Sequence, residues 1–138
     1  MTGTRMPRLV VVDDDNELAQ ELAGLFSDVG YEVTGVASAA REGIDLVDRT
    51  MPDVVLMDVR MEGMSGTEAA GVLRRHYPGL PVVLLSAYAD EGIVEAAREA
   101  QVAAYLVKGC TARELLSTVG TVVKESRVKG ARKPGGPD

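Results

Sequence analysis

Four short apolar runs each end on a polar, chemistry-bearing residue, and this constrains the fold more than any other feature of the chain. Leu9-Val10-Val11-Val12 stops at Asp13-Asp14-Asp15, Val54-Val55-Leu56-Met57 at Asp58, Val82-Val83-Leu84-Leu85 at Ser86, and Ala103-Ala104-Tyr105-Leu106-Val107 at Lys108. Runs this short, bounded by turn signals such as Pro52-Asp53 and Gly63, read as strands buried on both faces. In an open parallel sheet, chemistry sits beyond the carboxyl ends of the strands. Side by side, these strands would bring acids, a hydroxyl and an amine together around Asp58.

The stretches between them read as helices and one further strand. Asp15 or Asn16 can cap a helix carrying Leu18, Leu22, Leu25, Phe26 and Val29 at helical spacing, with Gly30 as its stop. Tyr31 to Val36 alternates and predicts a strand nearer an edge. Ser38 can cap a second helix with Ala40, Gly43, Ile44 and Val47 inward, ended by Met51-Pro52. Ser65-x-x-Glu68 and Thr111-x-x-Glu114 are capping boxes. The first opens a helix with Ala69, Val72, Leu73 and His76, and the second one with Leu115, Leu116, Val119, Val122 and Val123. Asp90 can start another helix, with Ile93, Val94, Ala97 and Ala100 along one side. Near Ser126 the pattern gives way to Gly, Pro, Lys and Arg. Five β/α units predict a doubly wound, three-layer α/β/α domain. A flavodoxin-like strand order 2-1-3-4-5 would set the first and third strands together at the switch point, so that Asp13, Asp14 and Asp58 share one cleft.

A chain of 138 residues predicts one domain with a sizeable core. The expected division is an N-terminal extension over 1–7, a folded body over 8–124 and a flexible basic tail or linker over 125–138. No apolar stretch approaches the roughly 18 residues of a membrane span, and Met1 to Pro7 lacks the apolar region of a signal peptide. The single Cys110 excludes an internal disulfide and suits a reducing cytoplasm. Residues 1–123 hold 19 acids and 10 bases, a net charge of -9, whereas 124–138 carry +3. An acidic body disfavours direct nucleic-acid binding and suits a divalent cation.

Three carboxylates forced together raise one another's pKa, and a hard cation removes that penalty; oxygen ligands with retained waters are what Mg²⁺ prefers. A carboxylate is also a competent nucleophile for phosphoryl transfer, where the protein mainly positions groups and neutralises phosphoryl oxygens. Mg²⁺, Lys108 and Ser86 are the groups placed to touch those oxygens. The remaining candidates read blandly: His76 as core or boundary packing, Cys110 as an inert small residue, the six methionines as core filler. No Gly-rich phosphate loop, zinc spacing or nucleophile elbow occurs.

Over roughly residues 8–124 the chain resembles the receiver domain of two-component response regulators, CheY-like in fold. The resemblance rests on Val12-Asp13-Asp14-Asp15, on Leu56-Met57-Asp58-Val59-Arg60-Met61 with Gly66 beyond, on Leu85-Ser86-Ala87 and on Tyr105-Leu106-Val107-Lys108. It implies Asp58 as phosphoacceptor, Asp14 as a direct Mg²⁺ ligand, Asp13 as one acting through water, and the Arg60 backbone carbonyl completing the set. It further implies Ser86 as the switch hydroxyl, Lys108 as the phosphate partner, Tyr105 as the aromatic that rotates on activation, and a small Ala87 that leaves room for the phosphoryl group. The Tyr105–Lys108 run and the following Gly resemble receivers of NarL-type regulators. Two departures stand out. Gly109 replaces the usual Pro after the Lys, which predicts a trans peptide and a looser loop. Glu62 stands where Pro is usual.

The function implied is a phosphorylation-operated switch and not a turnover enzyme. Its partners would be a sensor histidine kinase or phosphotransfer protein and a downstream effector or fused output domain, with a homodimer forming on phosphorylation. Arg60 and Tyr88 are expected to overhang the cleft and slow loss of the phosphoryl group. Three rivals stand beside this reading: the regulatory half of a DNA-binding transcription regulator, a Mg²⁺-dependent phosphohydrolase, and a structural pseudo-receiver. A phosphohydrolase would need an acid/base carboxylate within two residues after Asp58, and there is none; a pseudo-receiver would lack site residues that are all present.

Overall fold

A computed structural model describes residues 5–88 and 90–132. Its elements are β1 (Arg8–Val12), α1 (Asn16–Asp28), β2 (Glu32–Ala37), α2 (Ala40–Thr50), β3 (Val54–Asp58), α3 (Gly66–His76), β4 (Val82–Ser86), α4 (Glu91–Glu99), β5 (Ala104–Val107) and α5 (Ala112–Arg132). The five strands are parallel in the order β2-β1-β3-β4-β5, as the doubly wound reading requires.

The central strands are continuous apolar runs because each residue has a helix to pack against on whichever face it points to. Leu9, Val11, Val54, Leu56, Val83 and Leu85 join Phe26 of α1 and Val119 of α5 in one core. Their neighbours Val10, Val12, Val55, Met57, Val82 and Leu84 join Val47 of α2, Leu73 of α3 and Ala97 of α4 in the other. Burying each such side chain contributes roughly 1.5–3 kcal/mol before the entropy of ordering it is set against that.

Several local expectations change. Ala39, not Ser38, is the N-cap of α2 and makes no side-chain cap bond, because the Ser38 amide and hydroxyl both donate to the Glu42 carboxylate. Val94 points to solvent, 46% exposed, although Ala97 on the same helix is buried. His76 is exposed at the last turn of α3 with Nδ1 against the Val72 carbonyl, so it packs in no core. Of the methionines, Met57 is buried and Met61 and Met64 pack against the core, but Met6 and Met51 are exposed; Met1 lies outside the described residues. The Lys108–Gly109 peptide is trans, there being no cis bond among the described residues. Cys110 N–H donates to the Val107 carbonyl at 3.1 Å, closing a four-residue turn whose third residue, Gly109, has φ +102°, a conformation that glycine adopts without strain.

The largest change is at the C-terminus. The segment expected as a tail from 125 is helical to Arg132, and only 133–138 lie outside the described residues. Long-range contacts hold it. Ser126 donates to the Gly79 carbonyl at 3.3 Å, and Arg127 donates to the Arg5 carbonyl at 3.1 Å and lies 3.9 Å from Asp53. Asp53 also accepts from the Arg8 amide at 2.7 Å and from Arg5 at 3.0 Å. One carboxylate at the amino end of the sheet therefore fastens the N-terminal segment, β1 and the end of α5. Asp53→Ala is expected to cost about 1–3 kcal/mol, since it strands the Arg8 amide, and to speed amide exchange over residues 124–132. Unchanged exchange there would show that α5 does not depend on this contact.

Candidate functional site

Each candidate residue is delivered by the end of a strand. Asp13 follows β1 and is 2% exposed. Its amide donates to the Ala37 carbonyl at the end of β2 (3.0 Å), and its Oδ1 accepts from the Asp15 amide (2.9 Å). The next residue, Asp14, is exposed, and Asp15 turns away to cap α1 through the Leu18 amide. Asp58 closes β3 at 5% exposure and Ser86 closes β4 at 1%. Because Val12 pairs with Met57 and Asp58 with Leu85, the ends of β1, β3 and β4 lie level. Lys108 follows β5, its amide donating to the Ser86 carbonyl at 2.6 Å, and the Gly109 turn holds it there.

The Lys108 ammonium lies 3.1 Å from Asp13 Oδ2 and 3.2 Å from Asp58 Oδ1. Carboxylate oxygens of Asp13, Asp14 and Asp58 lie within 4.8 Å of one another. Burial, then the Asp13 charge, push the Asp58 carboxyl up to about 6 from 3.8; Lys108 opposes the shift and Asp14 adds to it. For Lys108, burial pulls the amine down, but its bonds to Asp13 and Asp58 and their charges outweigh that, and the net change is upward. One ammonium faces three carboxylates. The donor set is oxygen-only, acidic and open to solvent at Asp14, which fits a hard dication with retained water. These residues could hold a metal ion.

Around this cluster the other candidates take different positions. The Ser86 hydroxyl is buried and accepts the Tyr88 amide at 3.1 Å. Tyr105, on β5, donates its hydroxyl to the Tyr88 carbonyl, so it engages the β4–α4 loop and not the acidic cluster. Arg60 sits over the Tyr88 ring, 4.8 Å from its centroid, and Arg60 Nη2 is 3.7 Å from Asp90 Oδ2. The half-buried Cys110 packs against a core, and burial followed by the Glu114 charge raises its thiol, consistent with an inert residue. Two residues do more than the sequence alone assigned them. Asp90 is more than a helix cap, and Gly66 lies so close to β3 that an added Cβ would stand 2.0 Å from the Asp58 carbonyl oxygen. Gly66 stood with the Asp58 motif in the sequence, but its close approach to β3 did not show there.

Comparison with known proteins gives a consistent picture. The model of the response regulator receiver domain matches residues 9–120. The transcriptional regulatory protein PdtaR of Mycobacterium tuberculosis is 33% identical over 123 residues, covering 88% of this chain and 60% of that protein. The transcriptional regulatory protein LiaR of Bacillus subtilis is 34% identical over 131 residues, covering 91% of this chain and 62% of that protein. This chain therefore spans about three fifths of the length of these relatives. Among solved structures, the signal receiver domain of NarL from Mycobacterium tuberculosis superposes with a TM-score of 0.83 at 30% identity, over 88% of this chain and 98% of that one.

Proposed function

The chain belongs to the response regulator receiver domain family, and from that membership we propose that it is a phosphorylation-operated switch loaded on Asp58. The observation that carries the assignment is the Lys108 ammonium set between Asp13 and Asp58 at 3.1 and 3.2 Å, with Asp14 alongside. An Asp58 oxygen attacks the phosphorus of a phosphohistidine on a sensor kinase or phosphotransfer protein, or of a small acyl phosphate. The new P–O bond forms as the bond to the donor breaks, and the donor leaves with the electron pair. Lys108 is placed to pair with a phosphoryl oxygen while keeping its tie to Asp13. The Ser86 hydroxyl, released from the Tyr88 amide, turns to a second oxygen, and the Tyr105 hydroxyl follows by leaving the Tyr88 carbonyl. Bound by Asp14 and Asp58 directly, by Asp13 through water and by the Arg60 carbonyl, Mg²⁺ would neutralise the carboxylates and the transferring group.

The domain turns over no external substrate beyond gaining and losing its own phosphoryl group. The readout is a changed α4-β5-α5 face, seen by an effector, a fused output domain or a second copy, in the cytoplasm and without direct contact to nucleic acid. A second reading, the regulatory part of a transcription regulator, is favoured by the 60% and 62% coverage of relatives named transcriptional regulatory proteins; the coding frame beyond Asp138 tests it. The switch itself is tested by incubating the protein with Mg²⁺ and acetyl phosphate and weighing it intact. Gain of one phosphoryl group is expected, and no gain would overturn the reading.

The ligand set makes a separate expectation. Asp13 is already engaged by Lys108 and the Asp15 amide, whereas among the described residues Asp14 has no salt-bridge partner within 4.0 Å and accepts no side-chain hydrogen bond. Asp14→Ala should weaken Mg²⁺ binding by at least about tenfold, and more than Asp13→Ala does, in a calorimetric titration. Equal affinity in the Asp14 variant and the parent would refute this ligand set.

A further inference from the structure

The two carboxylate oxygens of Asp90 do different work. Oδ1 accepts the Ile93 amide at 2.9 Å and caps α4, while Oδ2 lies 3.7 Å from Arg60 Nη2. Arg60 is two residues beyond Asp58, on the loop between β3 and α3, and its guanidinium also rests on the Tyr88 ring. Among the described residues it makes no ion pair with Asp13, Asp14 or Asp58; Lys108 occupies that role. The guanidinium is thus held by Asp90 and the Tyr88 ring and not by the acidic cluster.

We propose that Asp90 is the resting partner of Arg60, a positioning residue that competes with the phosphoryl group on Asp58 for the guanidinium. This rests on the phosphoacceptor reading above. A phosphoryl group on Asp58 adds oxygens that a planar guanidinium can bind in pairs. While Asp90 holds Arg60, those oxygens and the phosphorus lie open to water. Loss of the phosphoryl group is attack of water on phosphorus: the P–O bond to Asp58 breaks, the carboxylate keeps the electron pair, and phosphate leaves carrying the water oxygen. Arg60 placed across the phosphoryl group obstructs that approach. Because the same Asp90 side chain caps α4, moving Arg60 inward also changes the charge at the start of α4, one of the elements of the proposed readout face.

Asp90→Asn separates these functions. Asparagine caps a helix as well as aspartate does, so α4 keeps its start, but the charge that holds Arg60 is gone. After removal of acetyl phosphate, the phosphorylated Asp90→Asn variant is expected to decay more slowly than the parent by about two- to fivefold, the range available to a half-exposed ion pair. In an Arg60→Ala background the same change should have no effect, and high salt should shrink it in the parent background. A lifetime that is unchanged or shortened overturns the proposal, and so does an equal lengthening in the Arg60→Ala background. Absence of any phosphoryl uptake by the parent overturns the phosphoacceptor reading itself, a distinguishable failure.

Discussion

Asp58→Asn is expected to abolish phosphoryl uptake and, in metal-free protein, to raise stability. The first effect is complete loss of the mass gain, because the amide is no nucleophile toward phosphorus. The second follows from the raised carboxyl of Asp58, about 6 in the fold against 3.8 ordinarily, caused first by burial and then by the Asp13 charge. Above about pH 6 the folded protein holds an ionised group under a strain that the unfolded chain does not feel. As pH falls from 6 towards 3.8 the fold takes up the proton first, so the parent gains stability over that window. Asparagine removes the charge at every pH and leaves Lys108 its 3.1 Å contact with Asp13. At pH 7.5 without metal the variant should be more stable by on the order of 1–3 kcal/mol, with the difference shrinking below pH 5. Mg²⁺ should reverse the order by stabilising the parent alone. Denaturant titrations at two pH values, with and without Mg²⁺, check this. A variant no more stable than the parent at pH 7.5 without metal would mean that the cluster is not under electrostatic strain.

Gly66→Ala is expected to damage fold and site together. The new Cβ would stand 2.0 Å from the Asp58 carbonyl oxygen, 2.9 Å from its carbonyl carbon and 3.0 Å from the Val59 Cα. All three are backbone atoms, so no side chain can swing aside. The Gly66 amide also donates to the Val59 carbonyl at 2.8 Å, which pins the first turn of α3 against the end of β3. Either α3 retreats or the peptide after Asp58 shifts, at a cost of about 1–3 kcal/mol or more. A lower denaturation midpoint and weaker Mg²⁺ binding are expected together. An unchanged midpoint with parental Mg²⁺ affinity would show that the approach of α3 to β3 is dispensable.

Much of the fold is legible in local patterns. A strand covered on both faces cannot hide its character, and the residue that ends it stands out because it breaks an apolar run; Asp13, Asp58, Ser86 and Lys108 all announce themselves in this way. The capping boxes at Ser65 and Thr111 are equally local and form as read. What escapes is whatever depends on which partner a side chain finds in the fold. The end of α5 is helical because Arg127 meets Asp53 and Arg5 from far along the chain. Asp90 shows its cap in sequence, but the use of its second oxygen depends on where the loop after β3 runs. Ser38 fails as a cap because Glu42 claims both its amide and its hydroxyl, a contest that composition cannot decide.

The length of α5 has a mechanical consequence. It begins four residues after Lys108 and passes Asp53 at the amino end of the sheet, and its 21 residues make a rod about 31 Å long. A rod of that length turns angle into displacement: a tilt of about 5° pivoting at its start would sweep its far end through roughly 3 Å. The contacts of Asp53 and Gly79 with Arg127 and Ser126 work against that leverage well past the midpoint of the rod. A small rearrangement beside Lys108 would be felt there as a pull on the clasp, several times larger in distance than the motion that began it.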